Sequence, residues 1–153
     1  MIMKKSLKTF YGIFLALAML TGIAQAQDPQ AEPPRSEPLR SVRQLFTAMN
    51  AGDFEAARAL FAEDGYSAYG MDGSPHIGEG LDAWLQSDIF GSNAQFEVQN
   101  ECVEGNTVVA DGRWGANGDL TRSFRYLFSV RDGLIQAWNI IDPAGENPCE
   151  TNS

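Results

Sequence analysis

At Ala94 the hydrophobic pattern changes period, and that switch limits the chain to a small set of folds. Before it, apolar residues recur at three- and four-residue spacing. After it come runs rich in β-branched and aromatic residues, separated by turn signals. Leu39, Val42, Leu45, Phe46 and Met49 mark one face of a first helix, which Ser36 and Pro38 can start and Gly52 can end. Asp53 offers an N-cap oxygen to a second helix that carries Phe54, Ala57, Leu60 and Phe61 inward and stops at Glu63-Asp64-Gly65. Tyr66 to Met71 and Pro75 to Ile77 read as short strands around an Asp72-Gly73 turn. Gly78-Glu79-Gly80 leads into a third helix with Leu81, Trp84, Leu85 and Ile89 on its inner face.

Beyond the switch, Gln95 to Val103, Thr107 to Gly115, Leu120 to Val130 and Leu134 to Asp142 read as four strands. Gly105-Asn106, Asn117-Gly118 and Asp132-Gly133 separate them, each a hairpin signal. Helices first and a strand meander second specify an α+β fold, with the helices packed on one face of a curved antiparallel sheet. The last hairpin decides which side chains face those helices. A three-residue loop, Arg131-Asp132-Gly133, pairs Val130 with Leu134. It puts Phe124, Tyr126, Phe128 and Val130 on one face with Leu134, Trp138, Ile140 and Asp142. A two-residue turn puts Asn139 and Ile141 there instead. The first register gathers more aromatic surface and is the one expected here.

Lys4, Lys5 and Lys8, the apolar run from Phe10 to Ile23 and the small-x-small site Ala24-Gln25-Ala26 have the layout of a secretory signal peptide over residues 1–26. The run is shorter than the roughly 20 residues of a spanning helix. The expected destination is the periplasm or the medium. Pro29, Pro33, Pro34 and Pro38 among polar residues suit an extended, disordered leader at 27–38, followed by one domain at 39–143 and a tail at 144–153. Cleavage would remove every lysine and take the net charge from −9 to −12. Such a chain repels phosphate backbones and anionic headgroups, so nucleic acid and membrane surfaces are poor partners. Cys102, near the end of a strand, and Cys149, in the tail, are the two cysteines, and an exported chain makes a disulfide between them the natural expectation.

Asn50-Ala51-Gly52-Asp53, the Leu60-Phe61-Ala62-Glu63-Asp64 run, the Gly78-to-Trp84 stretch and the Trp138-to-Asp142 strand together resemble the nuclear transport factor 2-like superfamily, in its SnoaL-like branch. The resemblance covers residues 39–142. It implies a cone-shaped sheet with three helices from the N-terminal half, a pocket, and a homodimer. It does not imply one chemistry. Ketosteroid isomerases of this superfamily use a carboxylate base on the first strand and a Tyr with a protonated Asp as oxyanion hole. Here the base position falls near Tyr69, with Asp72 the nearest carboxylate, and the strand around Arg125 offers no acid. Limonene epoxide hydrolases hold a water between two Asp and an Arg. Arg122 and Asp142 stand as neighbours across the last hairpin, with Asp111 and Arg113 one strand away, and a surface ion pair is the plainer account of them.

His76, the sole histidine, and Asp142, at the end of the last strand, are the candidate proton-transfer groups, with Tyr126 as polar partner. Against this stand a loop histidine and a strand-ending Asp before Pro143. Tyr69, Trp114, Phe124, Phe128 and Trp138 are candidate ligand-lining residues, or else filler of a small core. One histidine and two separated cysteines provide no metal cluster, and no phosphate loop or cofactor motif occurs. Two functions follow as expectations. One is an exported binder of a small apolar molecule, with proton transfer or hydrolysis as its chemistry. The other is a non-catalytic dimerisation or protein-interaction module whose pocket is filled by Trp114, Phe124 and Trp138.

Overall fold

A computed structural model of the chain describes residues 36–69, 73–145 and 149. The expected signal peptide, most of the leader and Asp72 lie outside the described residues. Helix α1 (Ser36–Ala51) presents Val42, Leu45, Phe46 and Met49 to the core, all buried, as their spacing requires. Gly52 ends it at φ +71°. Asp53 then caps α2 (Phe54–Arg58) by accepting from the Ala56 N–H at 3.0 Å. Asn50 ties α1 to the sheet, its amide donating to the Phe96 carbonyl (2.9 Å) and its oxygen accepting from the Phe96 N–H (2.8 Å).

Six strands form one unclosed sheet in the order β2-β1-β6-β5-β4-β3. They are β1 (Phe61–Tyr69), β2 (His76–Ile77), β3 (Ala94–Glu104), β4 (Thr107–Ala116), β5 (Arg122–Arg131) and β6 (Leu134–Ile141). Helix α3 (Glu79–Trp84) continues into a π-helical turn (Leu85–Phe90), closed by the Gly91 N–H to Gln86 carbonyl bond of 2.7 Å. Leu81, Trp84, Leu85 and Ile89 are buried, as expected of this helix.

Three expectations need correction. Phe61 does not belong to α2; it starts β1, which is five residues longer at its N-terminal end than the Tyr66 start read from the sequence. It lies parallel to β6, so the sheet is not wholly antiparallel. The last hairpin turns through two residues, Asp132 (φ +52°) and Gly133 (φ +74°), pairing Arg131 with Leu134 and Val130 with Ile135. A bulge follows between Ser129 and Val130, after which Phe128 pairs with Trp138 and Tyr126 with Ile140. The extra residue reverses the parity a second time. Trp138 and Ile140 therefore reach the inner face after all, joined there by Ile135, whereas Leu134 is exposed.

On that inner face the ladder builds rows. Ser67, Trp138, Phe128 and Val108 align as one row, each fully buried. Tyr69, Ile140, Tyr126 and Ala110 form the next row toward the open end. Phe46 of α1 lies over the sheet centre, with ring centroids 5.8 Å from Phe124 and 5.8 Å from Phe128. Gly112 makes room for Phe124: a Cβ there would sit 2.1 Å from the Glu97 carbonyl oxygen and 2.8 Å from the Phe124 ring.

Two described residues of the tail, Gly145 and Cys149, are tied to the outer face. Cys102, Val109, Leu127 and Asn139 share one ladder row, so Cys102 sits almost level with the end of β6 and not at the far end of the sheet. Crossing three strand spacings of about 4.8 Å is within reach of the seven residues after Asp142. Arg125 donates to the Gly145 carbonyl at 2.7 Å on the way. Cys149 then forms a disulfide with Cys102, with Cα atoms 5.6 Å apart. Closing a sequence separation of 47 residues contributes about 2–4 kcal/mol, chiefly by restricting the unfolded chain.

Candidate functional site

A cavity of about 730 Å³ opens between the π-helical turn, the end of β6 and the β4–β5 hairpin. Its walls are aromatic and aliphatic: Tyr69, Trp84, Trp114, Phe124, Tyr126 and Trp138, with Ile89 and Ile140. The π-helical turn brings Ser87 and Asp88 to the mouth, and irregular turns of this kind recur at functional sites. Gly115 shapes the other lip. A Cβ there would lie 1.5 Å from the Asp119 carbonyl oxygen, so only glycine lets the 117–121 loop fold back over β4.

Tyr126 is the polar group of the inner wall. It is 4% exposed, stacked on Phe124 (4.2 Å between centroids) and edge-on to Trp138 (5.1 Å). Burial, with a smaller contribution from the Tyr69 hydroxyl, pushes its pKa well above the ordinary tyrosine value of 10.0. The group is therefore a neutral donor across the whole physiological range. Trp84 and Trp138 meet edge to face at 5.1 Å, and the indole nitrogen of each is buried without a hydrogen-bond partner.

Five of the eight candidate residues from the sequence share this cavity: Tyr69, Trp114, Phe124, Tyr126 and Trp138. Phe128 is not among the lining residues; it is fully buried against Phe46 and its cross-strand partner Trp138. His76 stands behind the wall, its ring stacked on Trp84 at 5.7 Å with an 11° interplanar angle. Asp142 is exposed, and its Oδ1 accepts from the Ala144 N–H at 2.9 Å, closing the turn that starts the tail. Arg122 and Asp142 are not paired across the hairpin. The guanidinium of Arg122 instead lies over its cross-strand partner Trp114, 5.2 Å from the ring centroid, and Asp111 pairs with Arg125. Trp84, Ile89 and Arg122 were absent from the sequence-derived site; the helical period placed the first two on an inner face without saying that a void adjoined it.

The profile of the SnoaL-like domain family matches residues 42–138. The chain belongs to the SnoaL-like domain family. Among curated proteins, no sequence matches it significantly. Solved structures match the fold. One is a provisionally named polyketide cyclase from Sinorhizobium meliloti, 20% identical, covering 66% of this chain and 93% of that one with a TM-score of 0.58. Another is a nuclear transport factor 2-like protein of unknown function from Burkholderia xenovorans, at 21% identity, coverages of 77% and 93%, and a TM-score of 0.59. A third, from Mycobacterium tuberculosis, was solved in complex with estradiol-17β-hemisuccinate; it is 17% identical, with coverages of 68% and 92% and a TM-score of 0.59. At these identities the likeness is one of fold. The helix-capping Asn50-to-Asp53 turn and the Trp138 strand that carried the resemblance are elements that build the SnoaL-like frame around the cavity.

Among the described residues no group of three or more His, Cys, Asp or Glu could hold a metal ion, and no helix is long and apolar enough to cross a membrane.

Proposed function

We propose that this SnoaL-like domain binds a small, largely apolar molecule in the cavity, with the Tyr126 hydroxyl donating a hydrogen bond to an acceptor on the ligand. The observation that carries the reading is an open 730 Å³ cavity whose walls are aromatic and whose inner polar group is a buried, neutral tyrosine. The steroid derivative bound by the Mycobacterium neighbour supports a ligand of this general size and character. A module with its pocket filled by Trp114, Phe124 and Trp138 would lack this space. Proton transfer through Asp142 or His76 finds no support in their placement, one capping a turn and the other behind Trp84. Export is part of the same proposal: the N-terminal sequence has the signal-peptide layout, and the Cys102–Cys149 bond suits an oxidising compartment.

Prodan, an environment-sensitive naphthyl ketone, tests the binding. Saturable uptake with a blue-shifted emission is the expected result. Tyr126→Phe should weaken it about two- to tenfold, the worth of one neutral hydrogen bond, without altering the circular dichroism. Because the raised pKa keeps the donor form, wild-type affinity should stay flat to pH 10, where an ordinary tyrosine is half ionised. Equal affinities for the two proteins would remove Tyr126 from the site.

A further inference from the structure

The mouth of the cavity carries a cation that the fold itself does not use. Arg122 lines the opening, is exposed, and makes no ion pair with a described carboxylate. Three other arginines are committed: Arg43 to Glu101, Arg58 to Asp82, and Arg125 to Asp111. The guanidinium of Arg122 is nevertheless held in place, because it lies 5.2 Å over the ring of Trp114, which also lines the cavity. Stacking on an aromatic face orients the planar group while leaving its N–H edge free to donate. Of the described arginines, only Arg122 lines this cavity.

We infer that the cavity is built for an amphipathic monoanion: an apolar ring body inside, and one carboxylate or sulfonate head at the mouth, hydrogen-bonded by Arg122. The inference rests on the cavity-binding reading above and adds the charge class of the ligand. The other charged groups of the mouth fit a single head group. Asp88 is engaged by the Ser87 hydroxyl at 2.7 Å, and Asp119 sits on the glycine-supported lip. The like charge of these two carboxylates opposes any negative charge that Arg122 does not neutralise, which limits the head to one charge set against the guanidinium. Thr121, next to Arg122 in sequence, also lines the cavity. A neutral ligand would bury the aromatic wall equally well but would leave the guanidinium edge to water.

Two dyes separate this inference from the reading beneath it. N-phenyl-1-naphthylamine (NPN) supplies the ring body alone. 8-Anilinonaphthalene-1-sulfonate (ANS) is the same body carrying one sulfonate. The affinity of each is measured for wild type, Arg122→Gln, and Arg131→Gln, an exposed arginine at the far end of β5. Arg122→Gln should lower ANS affinity about three- to tenfold, as for a partly exposed charge-assisted pair, and leave NPN affinity unchanged. Arg131→Gln should move neither. An equal change for both dyes, no change for either, or the same ANS loss in Arg131→Gln would overturn the inference while the cavity reading stands. If NPN does not bind the wild type at all, both fail together.

Discussion

Arg125→Met, with Asp111 left in place, should destabilise the folded domain by about 3–5 kcal/mol, read as a lowered denaturant midpoint. Arg125 lies on the outer sheet face but is 6% exposed. It donates from Nε to Asp111 Oδ1 at 2.8 Å and from Nη2 to Oδ2 at 3.2 Å, a two-pronged pair across β4 and β5. Removing the guanidinium takes the two-pronged cationic partner from the Asp111 carboxylate, whose side chain is only 15% exposed, and breaks the bond that the Gly145 carbonyl accepts. The double variant Arg125→Met, Asp111→Leu should recover most of the loss, because it removes both charges of the pair instead of one. A double variant as unstable as the single one would show that the tail anchor, and not the ion pair, carries the effect.

Trp138 should be the other costly position. Its ring is fully buried between Trp84, Tyr126, Phe128 and Phe61, so Trp138→Ala should cost about 3–5 kcal/mol through lost burial and the void left behind. Trp138→Phe should cost far less, about 1–2 kcal/mol. It keeps much of the ring and deletes an indole N–H that has no partner in the fold, so part of the packing loss is offset. Thermal melts of the two variants read the difference. Equal destabilisation would contradict the expectation by showing that the ring volume kept by Phe does not fill the site.

These positions also show how far the sequence could be read. The stripe of Val42, Leu45, Phe46 and Met49 and the three Gly-containing turns are local signals, and local physics sufficed for α1 and the β3-to-β6 meander. Phe61 to Gly65 is different. Glu63 and Asp64 look like the end of a helix, yet the segment is held as β1 by β6, with the Ile135 N–H donating to the Leu60 carbonyl at 2.8 Å. Gly65 is needed there because a Cβ would approach the Ile135 carbonyl oxygen to 2.7 Å. That contact spans seventy residues, and nothing local announces it. The bulge in the last hairpin is equally silent, and without it Trp138 would face outward. Asp142 was attractive as a strand-end acid, but an Asp before Pro can close its own turn, and here it does. Arg122 looked like half of an ion pair because a charge pattern does not reveal that Trp114 is its cross-strand neighbour.

The most direct test of the ligand-binding account is a heteronuclear NMR titration of the isotope-labelled protein with Prodan. The account predicts saturable, one-to-one shifts at the indole N–H signals of Trp84 and Trp138 and at the Ile89 and Ile140 methyl groups, all in the cavity wall. Shifts confined to the outer face, at Leu127 or Val109, or no saturable response at all, would contradict it.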